Sequence, residues 1–112
     1  MSFDVDLIVI GGGSGGVRAA RLAAAQYHKS VLLIERQHLG GTCVNVGCIP
    51  QKLFHYAAQC TEQFLDAKGF GWHSEAPSLD WPALVHAVQT EIKRLNGIYH
   101  RLLVDAGVDV LT

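Results

Sequence analysis

Runs of apolar residues separated by glycines predict an alternation of strands and helices along the chain. The β-branched apolar run at residues 3–10 ends at three consecutive glycines and predicts a buried strand. The alanine-rich segment 14–27 predicts a helix with a narrow face of small side chains, and Val31–Ile34 predicts a second buried strand. Because strand, glycine turn, helix and strand follow one another within about 30 residues, we expect the two strands to be parallel and joined by a right-handed crossover.

The second half of the chain continues this alternation with longer helices. In order, the pattern predicts a loop at 36–46, a helix at 48–66, a loop at 68–79, a helix at 80–106 and a strand at Val108–Leu111. Pro50 is tolerated in the first turn of the first of these helices. Asp80 is the expected N-cap of the second, and Gly107 its stop. One face of that helix carries apolar residues at helical spacing: Leu84, Val88, Ile92, Leu95, Tyr99, Leu102 and Leu103.

The order of these elements predicts an α/β fold with a doubly wound parallel sheet. Such a sheet needs more than three strands, and helices that cover both of its faces. We therefore expect residues 1–112 to be the N-terminal portion of a larger protein. A minimal three-stranded domain that stands alone is the alternative.

Composition and charge narrow the class of protein. The chain has 112 residues, 49% of them hydrophobic and 17% charged, with a formal net charge of −1. It is therefore one globular unit with no electrostatic reason to bind nucleic acid or an anionic membrane. The longest apolar run is too short to span a bilayer, and residues 1–6 lack the basic start of a secretion signal. We expect a cytoplasmic protein whose three cysteines are redox, metal-binding or core residues.

The glycine turn carries a nucleotide-binding pattern. Gly11-x-Gly13-x-x-Gly16 follows a predicted strand and opens a predicted helix. In that context the first glycine permits the turn, the second lets a pyrophosphate approach the backbone, and the third lets helix and strand pack closely. Glu35 ends the second strand 19 residues after Gly16, where a carboxylate can accept hydrogen bonds from a ribose. The pattern predicts a dinucleotide site and leaves nicotinamide and flavin dinucleotides equally open, and Glu35 alone could be a solvated strand-end acid.

Two cysteines follow this turn at a spacing that favours redox chemistry. Cys43 and Cys48 can close a small disulfide ring if the backbone bends, which Gly47 permits. Cys48 lies near a predicted helix N-terminus, where the helix dipole favours a thiolate. The spacing is unlike that of structural zinc sites, so no metal site is predicted. Cys60 lies within a helix pattern and is expected to be an inert core cysteine.

These motifs together resemble one family. The segment GGGSGG, the strand-end Glu35 and the segment GGTCVNVGCIP resemble the flavin-dependent pyridine nucleotide–disulfide oxidoreductases, over residues 4–111. The resemblance implies FAD at the glycine turn, Cys43 as the thiol that exchanges with substrate, and Cys48 as the thiol nearest the flavin. It also implies that Lys52 pairs with the flavin. The residues assigned to the cofactor are Gly11, Gly13, Ser14, Gly15, Gly16, Glu35, Gly41, Thr42, Cys43 and Lys52.

Within the family, two further segments are similar to those of the glutathione reductases: Asp80-Trp81-Pro82-Ala83-Leu84 and Leu95-Asn96-Gly97-Ile98-Tyr99. The resemblance implies that Tyr99 covers the substrate pocket and that Arg21 binds a glutathione carboxylate. Arg18 adds a second cation, whereas trypanothione reductases typically have acidic and aromatic residues at these two positions. The substrate residues assigned are Ser14, Arg18, Arg21 and Tyr99, and two arginines favour an anionic substrate. The alternatives are solvated arginines and a core aromatic.

The implied enzyme passes electrons from NADPH to FAD, then to the Cys43–Cys48 disulfide, and then to glutathione disulfide. The NAD(P)H and dimerisation domains of the expected homodimer are not within residues 1–112, so this chain alone is expected to be inactive. Gln51 departs from the pattern, because glutathione reductases usually have lysine there. That departure leaves open a dihydrolipoamide dehydrogenase or a mercuric reductase. A non-catalytic FAD-binding fragment is the alternative of a different class.

Overall fold

The computed structural model describes residues 4–73, 75 and 77–112. The elements, in chain order, are β1 (Leu7–Ile10), α1 (Ser14–Ala25), β2 (Val31–Ile34), α2 (Gly41–Val46), α3 (Cys48–Ala67), α4 (Trp81–Asp105) and β3 (Val108–Leu111). A single 3₁₀ turn, Lys68–Phe70, follows α3. The three strands form one parallel sheet in the order β1-β2-β3. The predicted α/β class and parallel pairing are confirmed.

The core lies on one face of this sheet. Strand register places Leu7, Val31 and Val108 side by side, and α1 and α4 both pack against that face. Ala20 of α1 and Leu103 of α4 are completely buried there. The small alanine lets α1 approach the strands closely, as its composition predicted.

The opposite face of the sheet is exposed in the described part of the chain. Ile8 and Ile10 of β1 are 54% and 86% exposed, because alternate strand residues point away from α1 and α4. The prediction that β1 is buried is therefore wrong for this chain. The strand also begins at Leu7 rather than at residue 3, and residues 1–3 lie outside the described residues. At its start, Asp6 and Ser30 exchange hydrogen bonds of 2.8 Å between each backbone N–H and the other's side-chain oxygen.

The helix predictions are correct for the two long helices and wrong at one loop. Asp80 caps α4 by accepting a hydrogen bond of 3.0 Å from the N–H of Ala83. Gly107 ends that helix in a left-handed conformation, with φ of 82°. The predicted loop at 36–46 contains the short helix α2, whose six residues have no apolar period that a pattern could detect. The predicted loop at 68–79 begins with the 3₁₀ turn, and Ser74 and Ala76 within it lie outside the described residues.

The interpretation of Cys60 as a core cysteine is also wrong. Cys60 is exposed on α3, where its Sγ donates a hydrogen bond of 3.6 Å to the carbonyl of Tyr56 one turn earlier. The cause is the position of α3, which packs against α2 and α4 but not on the sheet, and which has no fully buried residue.

Candidate functional site

The turn between β1 and α1 brings backbone N–H groups to the carboxyl edge of the sheet. α1 begins after Gly13, with no side-chain cap and no acidic residue in its first turn. The first N–H groups of a helix have no partners within the helix. Gly16 is required here, because a Cβ at this position would overlap the carbonyl oxygen of Gly11. The turn thus presents free donors at the positive end of the helix dipole.

Glu35 ties this turn to the end of β2. Its Oε2 accepts a hydrogen bond of 2.7 Å from the N–H of Gly12, and its Oε1 accepts one of 2.8 Å from the N–H of Gln37. These bonds hold the pKa of the Glu35 carboxyl below its ordinary value, and the bond from Gly12 has the larger effect. Sequence reasoning placed Glu35 correctly at the strand end but missed Gly12, whose only signal was its place among three consecutive glycines.

A cavity of about 520 Å³ opens beside Glu35 at the carboxyl ends of β1 and β2. Four of the residues assigned to the cofactor line it: Gly11, Glu35, Gly41 and Thr42. His38 and Asn45 also line it, and sequence reasoning assigned neither to the site. Ligands of open α/β sheets bind in this position, outside the carboxyl ends of the strands.

The cysteine pair is close in sequence to residues that line this cavity, since Cys43 directly follows Thr42. Cys43 is in α2, Cys48 is the first residue of α3, and the two are joined by a disulfide with their Cα atoms 4.6 Å apart. Gly47 makes the bend between the helices possible, since a Cβ there would lie 2.9 Å from the carbonyl oxygen of Thr42. Cys43 is half-buried and Cys48 is exposed. The predicted bend and the place of Cys48 at a helix N-terminus are both found.

The start of α2 contacts the glycine turn, although the two motifs are well separated in the sequence. The N–H of Gly40 donates a hydrogen bond of 2.7 Å to the carbonyl oxygen of Gly12. A Cβ at Gly41 would lie 2.8 Å from the Cα of Gly13. The cysteine-bearing helix is therefore docked directly on the backbone that opens α1.

Two asparagines, Asn45 on α2 and Asn96 on α4, link these two helices by hydrogen bonds. Asn45 donates hydrogen bonds to the carbonyls of Leu39 and Gly41, at 3.2 and 2.8 Å. Asn96, on α4, donates to the same Leu39 carbonyl at 2.7 Å and to Oδ1 of Asn45 at 2.9 Å. The sequence pattern gave Asn45 no role beyond its place between the two cysteines, and it did not predict a contact between Asn45 and Asn96.

A separate open groove of about 510 Å³ runs between α1 and α4. It brings together all four of the residues assigned to the substrate: Ser14, Arg18, Arg21 and Tyr99. Both arginines are exposed, and within the described part of the chain neither forms an ion pair. The groove can therefore offer two cations to an anionic ligand.

Six of the assigned residues line neither opening: Gly13, Gly15, Gly16, Cys43, Cys48 and Lys52. Lys52 is exposed on α3, with its Nζ 5.5 Å from the centre of the Tyr56 ring. Among residues 4–73, 75 and 77–112, no three His, Cys, Asp or Glu side chains are grouped as metal ligands. No helix in the same ranges is long and apolar enough to cross a bilayer.

The amino-acid sequence of this chain is similar to a known protein family and to several curated proteins. A family model described as pyridine nucleotide-disulphide oxidoreductase matches residues 5–112. A glutathione reductase of Burkholderia cepacia is 53% identical over 108 residues, which are 96% of this chain and 24% of that protein. A glutathione reductase of Nostoc sp. is 39% identical over 112 residues, covering 100% of this chain and 24% of that protein.

A third relative has a different name. The thioredoxin reductase SEP1 of Emiliania huxleyi is 46% identical over 112 residues, covering 92% of this chain and 22% of that protein. The chain thus spans about a quarter of the length of the curated relatives it matches.

Proposed function

The chain belongs to the pyridine nucleotide–disulphide oxidoreductase family, and on that premise we propose that it is the FAD-binding, cysteine-bearing part of a flavoprotein that reduces glutathione disulfide. The observation that carries the proposal is the Cys43–Cys48 disulfide, held by a helix docked on the glycine turn. Two relatives named glutathione reductase support the choice of substrate. The nicotinamide and dimerisation domains of a cytoplasmic, NADPH-dependent homodimer would lie outside residues 1–112.

The residues present fit a dinucleotide cofactor. The uncapped first turn of α1 offers N–H donors to a pyrophosphate. Each oxygen of Glu35 accepts one backbone hydrogen bond and keeps a lone pair for a ribose hydroxyl. Gly41 and Thr42 would line the remaining wall of the same cavity, and Lys52 would meet the flavin from α3. When bound, FAD supplies the two electrons that reduce the disulfide.

The reduced cysteine pair can then carry out thiol–disulfide exchange. The Cys43 thiolate attacks one sulfur of glutathione disulfide, forming a mixed disulfide and releasing one glutathione thiolate. The Cys48 thiolate attacks the Cys43 sulfur, which releases the second glutathione and restores the Cys43–Cys48 disulfide. Cys48, at the first position of a 20-residue helix, is placed where the dipole stabilises its thiolate.

The groove between α1 and α4 supports an anionic disulfide as the substrate. Arg18 and Arg21 lie three residues apart on α1, so both reach the same side of the helix. Guanidinium groups bind carboxylates with two parallel hydrogen bonds, and Tyr99 offers an aromatic wall opposite them. Glutathione disulfide, which carries several carboxylates, matches this chemistry better than neutral lipoamide does.

The test uses the complete product of the gene that encodes this chain. We expect it to purify with bound FAD and to oxidise NADPH rapidly with glutathione disulfide, and slowly with lipoamide, mercuric ion or oxidised thioredoxin. A preference for one of the latter three would replace the substrate in this proposal. Bound FAD without reduction of any disulfide would favour the non-catalytic FAD-binding protein instead.

A further inference from the structure

The helix that carries Cys43 has little to hold it in place by itself. α2 has six residues, is flanked by Gly40 and Gly47, and has no side-chain cap. A helix of this length is not stable in isolation. Val44 is its one fully buried residue. The position of Cys43 must therefore be set by contacts that α2 makes with its surroundings.

The two asparagines supply contacts of this kind. Asn96 is on α4, 51 residues from Asn45, and its amide reaches both the Asn45 side chain and the Leu39 carbonyl that precedes α2. The Leu39 carbonyl accepts hydrogen bonds from both amides, and Asn45 also donates one to the carbonyl of Gly41 at the start of α2. Every bond in this set has an amide donor and a carbonyl acceptor.

The location of the set connects two parts of the proposed site. Asn45 is two residues from Cys43 and three from Cys48. Asn96 is one helical turn from Tyr99, which lines the substrate groove. The hydrogen bonds therefore join the cysteine-bearing helix to the helix that carries a wall of the groove.

We infer that Asn45 and Asn96 form a clamp that holds α2 against α4, and that Asn96 is a positioning residue for the Cys43–Cys48 pair. This inference rests on the proposed function for its kinetic consequence, but not for its effect on the disulfide. In the described structure the clamp is closed in the disulfide-bonded state. Its loss should favour the dithiol, because α2 is then free to leave the geometry that the disulfide requires.

The decisive measurement is the disulfide equilibrium in the folded protein. Asn96→Leu, which keeps the branched shape but has methyl groups in place of the amide, removes both hydrogen bonds that Asn96 donates. In the complete gene product equilibrated with dithiothreitol, we expect its ratio of Cys43–Cys48 dithiol to disulfide to rise about 10-fold, from the loss of two part-buried hydrogen bonds. Alkylation and mass spectrometry measure that ratio. Asn96→Gln, which keeps an amide, should recover part of the shift.

Thr90→Val is the matched control on the same helix. Thr90 is exposed, and its hydroxyl donates only to the His86 carbonyl one turn earlier on α4. Removing this donor should leave the disulfide equilibrium unchanged. Asn96→Ala is measured in parallel, so that the result does not depend on whether leucine is accommodated.

The clamp predicts a kinetic signature in the same variants. kcat for glutathione disulfide should fall, while KM stays unchanged. A merely structural role would lower the unfolding temperature of the oxidised and reduced proteins equally and leave the disulfide equilibrium where it was, and that result would overturn the clamp. If glutathione disulfide is not a substrate, the proposed function fails, whereas the disulfide equilibrium still decides the clamp.

Discussion

Replacing Gly12 and Gly13 separately by alanine should damage different properties of the protein, although the two residues are neighbours. A Cβ at Gly12 would lie 2.6 Å from Cδ2 of Leu39 and 3.3 Å from Cβ of Glu35. Leu39 is itself buried in the core cluster, so its side chain is surrounded by packed atoms. A Cβ at Gly13 meets nothing closer than the Cα of Gly41, at 3.8 Å, which is ordinary van der Waals contact.

These distances set the expected magnitudes. Gly12→Ala overpacks the core and displaces Glu35, and should lower the free energy of unfolding by about 1–3 kcal/mol. Gly13→Ala should lower it by at most about 1 kcal/mol, because φ of Gly13 is −76°, which alanine adopts readily, although alanine is less favourable than glycine at the N-cap of a helix. The new methyl group would instead meet the cofactor pyrophosphate. We expect the Kd for FAD to rise at least about 10-fold.

The assay separates these two effects in the complete gene product. Flavin is removed, the free energy of unfolding is measured with urea, and FAD is titrated back while its fluorescence is followed. Gly69→Ala is the control, because no atom lies within 4 Å of a Cβ at that position. Normal FAD affinity in Gly13→Ala, with a loss of stability equal to that of Gly12→Ala, would refute the assigned role of the glycine turn.

Three further changes test the substrate groove, the Glu35 carboxylate and the cysteine roles. Arg21→Ala should raise KM for glutathione disulfide roughly 10- to 100-fold with kcat nearly unchanged. Arg101→Ala, which lies outside the groove, is the control and should leave KM unchanged. Equal KM values for the two variants in steady-state kinetics would contradict the assignment. Folding lowers the pKa of Glu35, so the ionised carboxylate stabilises the folded protein fully above its ordinary pKa of about 4.5, and this stabilisation is lost as pH falls through the folded value. The free energy of unfolding of Glu35→Gln should therefore fall less steeply below pH 4.5 than that of the parent protein. Equal slopes in the two acid unfolding curves would exclude this role. Cys48→Ser should retain a mixed disulfide of glutathione on Cys43 by mass spectrometry; finding that adduct on Cys48 in Cys43→Ser, and none in Cys48→Ser, would reverse the two roles.

Much of the fold was accessible from the sequence because its long elements have strong local signals. The apolar period of α4, its cap at Asp80 and its stop at Gly107 each reflect local chemistry that a single segment contains. The parallel pairing of β1 and β2 followed from the glycine turn and the short crossover. The resemblance of the cysteine segment to one family identified the pair that the structure joins.

The rest depends on contacts between distant segments, which no local pattern contains. α2 was missed because it is held by Gly12 and Asn96 rather than by an apolar period of its own. Cys60 has the same helical context as a core residue, and only the position of α3 away from the sheet shows that it is exposed. The exposure of β1 likewise depends on which face α1 and α4 cover, not on the strand's own residues.

The central claim, that Cys43 and Cys48 are a redox pair driven by a bound flavin, is tested most directly by differential alkylation of the complete gene product. The oxidised protein, the protein reduced anaerobically with NADPH, and the reduced protein treated with glutathione disulfide are each alkylated and analysed by mass spectrometry. Exposed Cys60 should be labelled in all three samples and serves as the internal reference. We predict that Cys43 and Cys48 are labelled only after NADPH and are protected again by glutathione disulfide. Cysteines that stay unlabelled after NADPH, while Cys60 reacts fully, would contradict the account.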